Sequence, residues 1–135
     1  MRAKGDVFHL AIPVDDLDET QHFYVSLLGC KLARRYPDRI TLDFFGDQVV
    51  CHLVDDAAPK IRPLSLYPRH FGVTFRRAKE FDALYDLVLL RKIPFFSDLT
   101  IRFDGRAEAH RTFVLEDPSQ NLVEFKHYRD PRMMY

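Results

Sequence analysis

The chain repeats itself, and a repeat of about half its length restricts the available folds more than any other feature it carries. Val7 to Ile12 reads as a strand, and Asp15 to Glu19 opens a helix in which Asp16 and Glu19 have capping-box spacing. Phe23, Tyr24, Leu27 and Leu28 give that helix an apolar stripe, and Gly29 stops it. Three strand-like runs follow, Lys31 to Tyr36, Ile40 to Phe45 and Gln48 to Val54, with a tight turn at Gly46-Asp47. The same order begins again near residue 70. His70 to Phe75 reads as a strand, and Ala78 to Arg91 as a helix with Phe81, Leu84, Tyr85, Val88 and Leu89 on one face. Ile93 to Phe96, Thr112 to Leu115 and Asn121 to His127 are the strands after it, the last two joined by a turn at Asp117-Pro118-Ser119-Gln120.

The halves match in register as well as in order. His9 precedes Tyr24 by 15 positions, and His70 precedes Tyr85 by 15. Phe23, Leu27 and Leu28 fall against Leu84, Val88 and Leu89 at the same offset, and Val50-Cys51-His52-Leu53 aligns with Leu122-Val123-Glu124-Phe125. The second half carries an insertion, roughly Asp98 to Ala109, that contains Arg102, Phe103 and Gly105. The pattern predicts an α+β fold of two βαβββ modules whose mixed sheets form a cup. One domain is expected over 1–135, with modules at 6–55 and 69–128 and a proline-bearing linker at 56–68.

Composition narrows the function classes. Of 135 residues, 20 are Lys or Arg and 20 are Asp or Glu, so no net field draws the chain to nucleic acid or to an anionic membrane. Arg34-Arg35 and Arg76-Arg77 are short basic groups balanced by acids. Cys30 and Cys51 form no disulfide framework, no apolar run reaches membrane-spanning length, and the expected setting is a reduced cytoplasm. Open strand edges and a single helix layer per module point to a homodimer.

Strand alternation then singles out four side chains. With Phe8, Leu10 and Ile12 packing on the helix, His9 points the other way, and by the same rule so do His52, His70 and Glu124. The repeat makes His9 equivalent to His70 and His52 equivalent to Glu124. Imidazoles and a carboxylate converging on a pseudo-twofold axis suit zinc, nickel, iron or manganese. The plainer alternative is that each His is a solvated strand residue and that Glu124 pairs with Lys126 or Arg129 at the surface. His22 lies on the polar side of its helix, His127 turns to the packing side of its strand, and Cys51 faces the core.

Three stretches resemble the vicinal oxygen chelate superfamily, which includes glyoxalase I, extradiol dioxygenases, fosfomycin-resistance proteins and bleomycin-binding proteins. They are Phe8 to Leu17, Phe23 to Cys30 with its Phe-Tyr and Gly, and Glu116 to Phe125 with its Asp-Pro turn leading to Glu; Arg69 to Val73 adds a fourth. Within that superfamily the chain is most similar to small bacterial proteins classed as extradiol-type dioxygenases, which share the His-Leu-Ala-Ile-Pro-Val opening and the Asn121 to Lys126 ending. The resemblance implies a facial triad of His9, His70 and Glu124 holding Fe(II), with Mn, Ni or Zn as alternatives, and open positions for a bidentate small molecule and O2. It implies that His52 acts as an acid/base group near the metal without binding it. Three positions depart from the extradiol pattern: Val114 stands where a Tyr is usual, His110 lies closer to the turn than the usual His, and Gln120 stands where the turn usually has Gly.

Three functions follow as expectations. One is a dioxygenase-type metalloenzyme. Another is a glyoxalase I-like lyase or isomerase, with nickel or zinc and position 52 as a fourth ligand. The third is a metal-free protein that sequesters a drug or metabolite. In each, Arg102, Phe103 and His110 are candidate substrate contacts in the insertion, or else a solvated loop with a Phe anchor.

Overall fold

The computed structural model describes residues 3–54 and 65–135. The chain divides into two compact units, Met1–Ile61 and Arg62–Tyr135. Of the expected linker, residues 56–64 lie outside the described residues.

The first unit runs β1 (His9–Val14), α1 (Leu17–Gln21) continued by a wider turn over His22–Leu27, β2 (Lys31–Arg35), β3 (Arg39–Phe44) and β4 (Asp47–Leu53). The second runs β5 (Phe71–Phe75), α2 (Ala78–Leu90), β6 (Phe95–Arg102), β7 (His110–Glu116) and β8 (Leu122–Tyr128), then a short 3-10 turn at Pro131–Met134. The sheet orders are β1-β4-β3-β2 and β5-β8-β7-β6. In each sheet the first pair is parallel and the others antiparallel, so both units are βαβββ modules with mixed sheets.

Local chemistry explains most boundaries. The Asp16 carboxylate accepts from the Asp18 and Glu19 amides at 2.8 Å and caps α1. The β3–β4 hairpin pairs Phe44 with Asp47, so its two loop residues are Phe45 and Gly46, both at positive φ (54° and 97°), one residue earlier than the sequence suggested. In β1 the inward phase is Leu10, Ile12 and Val14; Phe8 precedes the strand and is more than half exposed, contrary to expectation. Pairing starts only at His9–Gln48, so the Phe8 ring lies beyond the packed part of the sheet.

The two helices bury different registers. The Leu28 amide donates to the Phe23 carbonyl, five residues back, which inserts one residue per turn and rotates Leu28 into the core. In α2 the Arg91 amide donates to the Leu87 carbonyl four residues back, so Val88 is buried and its neighbour Leu89 is half exposed. Leu89 therefore leaves the packing face assigned to it. Phe81 of α2 packs at a tilt on Phe113, and Phe113 on Phe125, with ring centroids 5.3 and 5.2 Å apart. Each such ring contributes about 1.5–3 kcal/mol by leaving water.

The expected insertion is part strand and part loop. Residues 98–102 extend β6 as far as Arg102, with register shifts between Phe95 and Ser97 and between Ser97 and Thr100, and only 103–109 form the loop to β7. The extra residues are absorbed by a longer, bulged hairpin.

Candidate metal centre

Glu124 sits in the middle of β8, with Gly72 opposite on β5 and Val114 opposite on β7. It is a buried carboxylate, which costs several kcal/mol unless it is paired. The Thr112 hydroxyl donates to Oε1 at 2.7 Å, while Oε2 lies 3.0 Å from His70 Nε2 and 3.0 Å from Lys126 Nζ. His70 immediately precedes β5, and its Nδ1 meets the Leu66 carbonyl at 2.7 Å. A carbonyl only accepts, so Nδ1 carries the hydrogen and Nε2 is the nitrogen turned to Glu124. Two lone-pair donors facing each other need a proton or a cation between them.

The chemistry of this pair fits a divalent metal. Donors bound at about 2.0–2.1 Å and near a right angle stand about 3 Å apart, the spacing observed here. The Leu66 carbonyl and the Thr112 hydroxyl are the kind of outer contacts that orient metal ligands. A hollow of about 200 Å³ opens beside them, lined by His70, Gly72, Thr74, Glu124 and Lys126 among others. Gly72 is required: a Cβ there would lie 1.6 Å from the Glu124 carbonyl oxygen.

The first unit holds the other two candidates. His9 is exposed, and its Nδ1 is 2.6 Å from Gln48 Oε1, its partner across the parallel pair, an arrangement that leaves Nε2 free. His52 is also exposed and pairs with Pro13, four residues along β4 from Gln48, or about 13 Å at strand spacing. That separation is too great for His9 and His52 to share one ion within this sheet.

Register also corrects the proposed internal equivalence. If His9 matches His70, the parallel pairs match Gln48 with Leu122, Val50 with Glu124 and His52 with Lys126. His52 thus faces the same way as expected, but it is not the counterpart of Glu124. Aligning apolar runs fixes the face of a strand, and a two-residue slip preserves that face.

Among the described residues, no group of three or more His, Cys, Asp or Glu side chains is gathered to hold a metal ion. What the structure brings together is His70 with Glu124. Arg102, Phe103 and His110 cluster at the far end of the β6–β7 hairpin: the Arg102 guanidinium is 5.7 Å from the Phe103 ring centroid, and the buried His110 ring lies 4.5 Å from that of Tyr128. His110 pairs with Tyr128, four residues beyond Glu124, so the cluster shares its face at a different level. His127 lies on the helix side, its ring 6.3 Å from Phe81. A larger pocket of about 370 Å³, lined by Ile101, Arg111, His127 and Arg129 among others, includes residues of that opposite face. Burial pushes the Cys30 thiol up to about 12, with the nearby Asp43 charge adding to the shift, so it is no nucleophile.

Sequence reasoning did not identify Thr112 or Gln48, and it treated Lys126 only as a surface partner for Glu124. The signal for all three is strand pairing. Thr112 and Lys126 are cross-strand partners on the Glu124 face, and Gln48 is opposite His9. The Asp-Pro turn has a structural purpose. Buried Asp117 accepts from the Ser119 and Asn121 amides and from the Asn121 side chain at 2.8–2.9 Å, and Gln120 takes the positive φ of 65° that favours Gly.

These features agree with comparisons across known proteins. The family model for the Glyoxalase/Bleomycin resistance protein/Dioxygenase superfamily matches residues 6–125. A glyoxalase/bleomycin resistance protein/dioxygenase from Alicyclobacillus acidocaldarius is 65% identical, with 100% of both chains covered and a TM-score of 0.92. Two more distant structures share the fold. A lactoylglutathione lyase from Agrobacterium tumefaciens is 18% identical, covering 93% of this chain and 96% of its own, with a TM-score of 0.67. A genomically encoded fosfomycin resistance protein from Listeria monocytogenes is 14% identical, covering 99% and 100%, with a TM-score of 0.68. No curated protein matches the chain. On the family match and the two βαβββ modules together, the chain belongs to the Glyoxalase/Bleomycin resistance protein/Dioxygenase superfamily.

Proposed function

We propose that the protein is a metal-dependent enzyme of the extradiol dioxygenase type, acting on a small molecule with two vicinal oxygens. His70 and Glu124 bind the ion, Fe(II) by preference, and a His9 side chain, of the same chain or of a second copy, is the third ligand. The observation that carries the reading is the 3.0 Å approach of His70 Nε2 to Oε2 of the buried Glu124 carboxylate, whose Oε1 accepts from Thr112. A divalent ion held there supplies a Lewis acid and a template for the two substrate oxygens.

The chain's own residues do the rest. Leu66 fixes the His70 tautomer, Gln48 turns His9, and Thr112 fixes the Glu124 carboxylate. His52 enters as an acid/base group and not as a ligand, since register separates it from His9. Val114 stands directly opposite Glu124, so that position offers no phenol to orient a catechol, and the substrate is expected to differ from an ordinary catechol. Arg102, Phe103 and His110 are proposed substrate contacts at the hairpin end. A homodimer is proposed as well, because β6 is an edge strand that exposes Leu99 and Ile101.

The test is oxygen uptake by Fe(II)-reconstituted protein against diols and 2-oxo compounds. Uptake tied to substrate supports the reading. Stoichiometric zinc or nickel with hemithioacetal turnover and no uptake would replace it with a lyase, and failure to bind any metal would replace it with a sequestering protein.

A further inference from the structure

Lys126 stands two residues beyond Glu124 on β8, on the same face of the sheet, with Thr74 and Thr112 as its partners on the flanking strands. Its ammonium lies 3.0 Å from Glu124 Oε2, the oxygen that also faces His70 Nε2. The other oxygen is taken by Thr112. One carboxylate oxygen therefore carries both a resident cation and the donor geometry of a metal ligand.

An ion bound to Oε2 and His70 Nε2 would sit against that ammonium, and like charges at contact distance repel strongly where water is partly excluded. Lys126 has a flexible four-carbon stem, and 29% of its side chain is exposed, so the ammonium can swing off Oε2 into the adjoining hollow. There it would be, among the described residues, the one lysine or arginine lining the hollow, on a wall that includes Thr74, while Val114 opposite Glu124 offers no polar group. A substrate oxygen entering with negative charge would meet that ammonium as a charge-matched partner.

We propose that Lys126 occupies the metal-binding oxygen of Glu124 until a divalent ion displaces it, and that the freed ammonium then binds an ionised oxygen of the substrate. The site thus selects small anions with two adjacent oxygens, such as 2-oxo acids, over neutral diols. This rests on His70 and Glu124 being metal ligands.

The experiment uses chelator-stripped full-length protein titrated with Co2+, followed by oxalate added to the Co2+-loaded form, each read by calorimetry. K126Q removes the competing charge and should bind Co2+ tighter by about tenfold, or about 1.4 kcal/mol. It should bind oxalate about tenfold weaker, and K126R should restore oxalate binding. Co2+ affinity that is unchanged or weaker in K126Q overturns the proposal, and so does unchanged oxalate affinity. Wild-type protein that takes up no Co2+ overturns the metal reading itself, an outcome distinct from the other two.

Discussion

Glu124 shows how a single buried carboxylate is made tolerable: a hydroxyl on one oxygen, an imidazole and an ammonium on the other. Thr112→Val is expected to leave the fold intact and to weaken metal affinity about 10- to 100-fold by removing the hydroxyl that orients the Glu124 carboxylate, as checked by calorimetry. Gly72→Ala should disrupt the β5–β8 pair, because the added carbon meets backbone and not a movable side chain. Loss of amide protection over Phe71–Phe75 in hydrogen exchange is the expected readout, and a normal pattern would contradict it. Cys30 gives a pH prediction. Its raised value means that the folded state holds the proton well above the ordinary thiol range. Native protein at pH 8.5 should therefore resist iodoacetamide at Cys30, while unfolded protein reacts. At this scale the faces of His9, His70 and Glu124 were legible from alternation alone. Lys126 and Thr112 were not recognised as parts of the centre, because their roles depend on which strands pair.

The elements show where periodicity is informative and where it is not. Both helices and all eight strands were readable from apolar spacing, turn residues and the Asp16 cap. The exact offset of the repeat then misplaced Leu89, because the wider turn after α1 shifts the helical phase in one module only. The insertion was legible as extra length but not as a bulged hairpin, since Asp98 to Arg102 carries no alternation strong enough to show a strand. The Asp117 turn sets the register of β8 against β7 and hence the position of Glu124. Asp117→Ala removes the acceptor for three hydrogen bonds at a buried site. It should cost about 2–4 kcal/mol in denaturant unfolding, and a loss under 1 kcal/mol would show the turn to be incidental.

At the scale of the molecule, the repeat and the family agree on two βαβββ modules, and no helix among the described residues is long and apolar enough to cross a membrane. The proposed homodimer has a direct check in sedimentation equilibrium: twice the chain mass is expected, and a monomer at all concentrations would contradict it. The proposed centre needs one divalent ion on His70 and Glu124 with a His9 side chain, of the same chain or of a second copy, as third ligand. The most direct measurement is metal content per chain, after loading with Mn2+ and dialysis, for wild type and for His9→Ala, His70→Ala and Glu124→Ala, with folding confirmed by circular dichroism. About one ion per chain is expected in wild type, with most of it lost in each folded variant. Full occupancy retained in any one of the three would remove that residue from the ligand set and contradict the account.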